Sequence, residues 1–153
     1  MTIRLSTGLR NALIGTGGGL AAVFANGTIE IYSGSQPASA DAAPTGTLLG
    51  TVSKDAGAFT PGSATNGLTW AAAANGAVTK STDNWQFTGV AAGTAGWFRL
   101  KGNAVDAGAL STTLPRLDGS VANSGGDMNL SNTSIAIGSP NTVDVFSVTM
   151  PGA

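Results

Sequence analysis

The sequence predicts an all-β protein, an antiparallel β-sandwich or jelly roll with a short helical N-terminal segment. Three observations carry that expectation. From Thr28 onward apolar residues recur with period two in short runs. The runs are separated by Gly, Pro, Asn and Asp clusters in a chain that holds 23 glycines and 6 prolines. No strand-helix-strand alternation is present, so a parallel α/β fold is not expected. At 153 residues the chain has the length of one ordinary domain. Within it, residues 1–27 read as a helical arm and residues 28–153 as the β-sandwich.

The arm comes first. Thr7 is placed to cap a helical turn in which Leu9, Ala12 and Leu13 share a face, and Gly15 ends it. The run "GTGGGLAAVFANG" lacks the Lys-Ser or Lys-Thr and the preceding strand of a phosphate loop, and the G-x-G-x-x-G spacing fails at Leu20. It reads as a joint between two short helices, closed by Asn26-Gly27. Leu5, Leu9, Leu13, Leu20 and Phe24 carry more apolar surface than two such helices hide by themselves, so they pack on the sandwich or on a neighbouring molecule.

The strands follow. "TIEIY" sets Ile29 and Ile31 on one face and Thr28, Glu30 and Tyr32 on the other, and Thr47 to Ser53 offers a partner. Asn75-Gly76 supplies the two positive-φ positions of a type I′ hairpin, with the alanines before it read as a strand under a close layer. "DNWQFTG" and "AGWFRLKG" are aromatic-rich strands; Trp97 alternates with Arg99, and Phe98 with Leu100. From Leu117 three or four short strands are divided by Asp-Gly, Ser-Gly-Gly and Ser-Pro-Asn turns, and the last sets Val143 and Val145 against Asp144, Phe146 and Val148.

Composition narrows the function. Charged residues make up 10% of the chain, against roughly 25% in an average soluble protein, and the net charge is -1. No footprint for nucleic acid or an anionic membrane surface is present. A freely diffusing monomer ordinarily keeps more charge than this, so the chain suits a packed assembly. The sequence has no His and no Cys, which removes imidazole and thiol catalysis, disulfides and the usual zinc or copper ligands; no cofactor is expected. Glu30, the one glutamate, lacks a marked carboxylate partner for glycoside hydrolysis. Asp118 and Asp127 sit beside glycines without the alternating carboxylates of a calcium loop, and read as Asx turns. Trp70, Trp85 and Trp97 are either core or a sugar-stacking platform. No signal peptide or membrane-length apolar run is evident, so the chain reads as soluble, leaderless and made in the cytoplasm.

The segments "MTIRLSTGLRNALIG", "IEIYSGSQPASADAAPTGTLL", "GVAAGTAGWFRL", "STTLPRLDGSV", "GGDMNLSNTSI" and "DVFSVTMP" together resemble a family of small virion-associated structural proteins of tailed bacteriophages and prophages. The resemblance implies a non-enzymatic particle component and brings no catalytic or binding residues with it. Its expected role is a capsid decoration or cement protein on the virion head. The partner is then the major capsid protein, with self-association into a homo-oligomer, a trimer by analogy. The alternatives are a tail or baseplate accessory and a glycan-binding adhesion module.

Residues 34–46 form a loop too long for a simple hairpin turn, with Asp41 as its one charge. It is either a mobile excursion or an ordered contact loop on a neighbour. On the second reading Gln36, Pro37, Asp41 and Pro44 join the five apolar arm residues as candidate assembly contacts.

Overall fold

A computed structural model describes residues 3–150. With 39% of the chain in strands and 8% in helices, the protein is all-β. The strands are β1 (Arg4–Leu5), β2 (Thr28–Ser33), β3 (Leu48–Lys54), β4 (Ala77–Thr79), β5 (Trp85–Thr88), β6 (Gly93–Lys101), β7 (Arg116–Ala122), β8 (Met128–Leu130), β9 (Ser134–Ile135) and β10 (Pro140–Thr149). Two helices, α1 (Thr7–Ile14) and α2 (Leu20–Val23), lie between β1 and β2.

The strands do not divide into the two facing sheets of the expected sandwich. Seven of them close on themselves in the order β2, β3, β5, β10, β8, β7, β6 and back to β2, forming a barrel. Strands β1, β4 and β9 are short additions on β7, β10 and β6. Directions can alternate all the way round a ring only when the number of strands is even, so a seven-stranded ring needs a like-directed pair. Here it is β7 with β8, where Val121 and Ala122 align with Met128 and Asn129. Parallel neighbours ordinarily need a crossover of a dozen residues or more, yet five residues join these two. The short link suffices because the strands overlap by only two residues each. It is held by Asp127, whose Oδ2 accepts from the Ser120 backbone N–H (2.8 Å) and hydroxyl (2.7 Å).

Inside the barrel lie Ile29, Ile31, Val52, Phe87, Phe98, Leu100, Leu117, Met128, Val143 and Phe146. The arm shares this core: Leu9, Leu20 and Phe24 are buried in the same cluster. The N-cap of α1 is Ser6, one residue before the expected Thr7, because its Oγ accepts from the Leu9 N–H at 3.0 Å. Gly15 ends the helix as expected.

The Asn75-Gly76 turn forms with φ of 51° and 75°, but the alanines before it make only isolated bridges, and Ala72 to Ala74 are exposed rather than packed under a layer. In β10 the expected alternation breaks at an irregularity between Val143 and Val145. The extra residue resets the pleat, so Phe146 and Val148 turn inward while Val145 is 56% exposed.

Candidate functional site

Alternation on β2, β6 and β7 sends Ile29, Ile31, Phe98, Leu100 and Leu117 into the barrel, and it sends the intervening side chains outward. Three cross-strand rows result on the outer face: Thr28, Lys101 and Arg116; Glu30, Arg99 and Asp118; Tyr32, Trp97 and Ser120. Neighbours in such rows stand close enough to pair directly. Arg99 grips Asp118 in a two-pronged contact, Nε to Oδ1 at 2.8 Å and Nη2 to Oδ2 at 2.7 Å, with both side chains fully buried. Arg116 grips Asp106 in the same way at 2.7 and 2.6 Å. Lys101 donates to Glu30 Oε1 (2.8 Å) and to the Asp106 carbonyl (2.7 Å). Tyr32 donates to Glu30 Oε2 at 2.8 Å, and its ring stacks on Trp97 at 4.6 Å.

The roof over this polar layer is the loop of residues 34–46. Its carbonyls take donors from the sheet below: Ala42 from Arg99 (2.9 Å), Asp41 from Arg116 (3.3 Å), Thr45 from the Trp97 indole (3.2 Å), and Gln36 (3.4 Å) and Pro37 from Arg4. The Asp41 carboxylate turns the other way and accepts from the Thr7 backbone N–H and hydroxyl, both at 2.7 Å, which fixes the start of α1. The loop therefore lies as a hydrogen-bonded cover on the protein's own barrel.

Burial pushes the Tyr32 phenol above its ordinary range, and the neighbouring Glu30 charge adds to the push. Burial also raises Asp41 and Asp106, but the Thr7 bonds in one case and the Arg116 clamp in the other outweigh it, and both carboxyls end below their ordinary value. For Arg99 the loss of water opposes the charge, and the Asp118 carboxylate more than restores it.

The candidate contact residues do not converge on one outward patch. Leu9, Leu20, Phe24 and Pro37 are buried; Leu13, Gln36, Asp41 and Pro44 are half-buried, and Leu5 is exposed. Asp118 forms an ion pair where an Asx turn was expected; Asp127 bonds locally to Ser120. Trp85 and Trp97 are buried, and Trp70, half-buried, stacks edge-on against Trp85 at 5.1 Å while donating to the Phe24 carbonyl. No tryptophan pair is free to form a sugar platform.

Several depressions mark the surface formed by the described residues. An apolar cleft of about 400 Å³ lies among Leu13, Leu20, Val78, Val148 and Met150. A polar groove of about 490 Å³ crosses the outer face beside Glu30 and Lys101, with Thr51, Thr88, Phe59 and Pro61 in its lining. Among the described residues no group of three or more Asp or Glu side chains is placed to hold a metal ion.

No family model, curated protein or solved structure matches the chain. The reading of function rests on the geometry above.

Sequence reasoning missed Arg99, Asp106, Arg116 and the groove. One signal was present: in a chain so poor in charge, Arg99 and Lys101 alternate with Phe98 and Leu100 on an aromatic strand. Charges in that position need partners under a cover.

Proposed function

We propose that this protein is a non-enzymatic structural component of a tailed-phage particle, acting as a decoration protein that cements the capsid lattice. The observation that carries the reading is the distribution of charge. Of seven basic and eight acidic side chains, only Arg10, Lys54, Asp55 and Asp144 are exposed; the others are paired or drawn inward. The outside is left mainly to Ala, Gly, Ser, Thr and Asn, with scattered apolar side chains such as Ile14, Val105, Leu110 and Ile137. Such a surface suits close packing by shape and short-range contact, and a lattice turns modest contacts into high avidity through repetition.

The arm and loop residues expected to make the contacts are engaged largely within the chain. On this proposal the lattice contacts fall instead to apolar side chains left outside, among them Val105 and Leu110 on the β6–β7 connection, 74% and 75% exposed. Self-association into a homo-oligomer, with a trimer at local three-fold positions, belongs to the same proposal. The protein resists internal pressure by bridging neighbouring capsid subunits.

Undecorated heads mixed with the purified protein test this reading. Co-sedimentation and a raised rupture temperature are expected, and Val105→Ser with Leu110→Ser should weaken both without changing the unfolding midpoint of the free protein. Heads that neither bind the protein nor gain heat resistance would overturn it. Copy number against the major capsid protein separates head from tail: near one to one for cement, a few tens or fewer for a tail or baseplate accessory.

A further inference from the structure

The groove beside Glu30 and Lys101 sets polar groups of the sheet face against apolar side chains. Glu30 on β2 aligns with Thr51 on β3. Thr88 on β5 continues that row, two residues along from the aligned pair Ser53 and Gln86. Lys101 and Asp106 lie at the Glu30 end, and the lining also takes in Ser53, Gly57, Phe59, Pro61 and Val90. The volume of about 490 Å³ falls within the range of small-molecule sites, about 300–1,000 Å³.

Its hydrogen-bonding capacity is partly unused. The Thr51 and Thr88 hydroxyls are exposed and make no hydrogen bond to the described residues. The two Glu30 oxygens accept once each, from Lys101 and Tyr32, which leaves a lone pair on each. Lys101 uses two of its three N–H groups.

The electrostatics select a neutral ligand. Glu30 and Lys101 neutralise one another at 2.8 Å, and the Asp106 carboxylate is clamped by Arg116. A charged ligand would lose water without finding an uncompensated counter-charge. An extended peptide is disfavoured by topology, because β2 and β3 are paired on both sides and the groove lies on a sheet face, where strand addition has no backbone to join.

We propose that this groove binds a neutral pyranose, one unit of a glycan, with hydroxyls on Thr51, Thr88 and Glu30 and an apolar ring face against Phe59 and Pro61. The site is separate from the tryptophans and does not depend on a role in the particle.

The test is an NMR titration of the full chain with the methyl glycosides of glucose, galactose, mannose and N-acetylglucosamine. Each is taken to about 50 mM, which saturates a site with Kd near 1 mM, a free energy of about -4 kcal/mol. Saturable shifts at the amides of Thr51, Gly57, Thr88 and Lys101 are expected with at least one sugar. The double variant Thr51→Val, Thr88→Val keeps two exposed β-branched positions and should fold; its affinity should fall at least tenfold. Absence of saturable shifts with all four sugars would overturn the proposal, as would binding unchanged in the double variant, or glucuronic acid binding more tightly than glucose.

Discussion

Arg99 and Asp118 form an ion pair with no exposed atom to share with water, so removing one partner strands the other. Arg99→Met should lower stability by about 3–5 kcal/mol in urea unfolding, and the double replacement Arg99→Leu, Asp118→Leu should recover most of that loss. Asp41 and Asp106 titrate below the ordinary carboxyl value of 3.8. The unfolded chain therefore binds protons before the folded one. The stability these groups add is complete above about pH 5 and drains away as pH falls through 3.8 towards their lower folded values. Asp41→Ala should cost about 2 kcal/mol at neutral pH, from two lost bonds to a charged acceptor, and should flatten the acid side of the stability profile. Tyr32, the one tyrosine, has the opposite sign. Its folded pKa lies above the ordinary 10.0, so stability falls as pH rises past that value, and phenolate absorbance should lag behind a free tyrosine until the barrel opens.

At the scale of elements, β3 depends on a missing side chain. A Cβ on Gly50 would lie 2.1 Å from the Phe87 ring, so Gly50→Ala should displace that ring and cost about 1–3 kcal/mol in thermal or urea unfolding. Local elements were the most legible part of the sequence. The Asn75-Gly76 turn, the Gly15 helix stop and the inward faces of β2 and β6 all follow from signals within about ten residues. The polar layer was not legible, because Arg99 meets Asp118 across 19 residues and the roof carbonyl of Ala42 across 57. Nor was the bulge in β10: "TVDVFSV" breaks its alternation at Val145-Phe146, but the break does not say which of the two apolar residues turns outward. The loop of residues 34–46 showed its length and lack of charge, yet its purpose depends on cations on β1, β6 and β7 that no nearby residue announces.

For the whole molecule, the seven barrel strands enclose one core, and the arm contributes to it. Unfolding should be a single cooperative transition, coincident by tryptophan fluorescence and far-ultraviolet circular dichroism, and refolding should be slow for the chain length because most strand pairs are distant in sequence. Amide exchange should separate the exposed limb at Ala72 to Ala74, open by local motion, from β2 and β6, which should exchange only on global unfolding. The difference between a barrel and a sandwich lies in the β6–β7 pairing that closes the ring, a property that periodicity in single strands does not encode. The inward placement of charge has a further, electrokinetic consequence. With no imidazole and no thiol, nothing but a terminal amine titrates between the carboxylates and the phenol. The side chains together hold their net charge near -1 from about pH 6 to pH 9, and a terminal amine shifts the total by at most about one unit. Electrophoretic mobility should be small and flat across that interval, and any surface coated with this protein would carry almost no zeta potential of the protein's making.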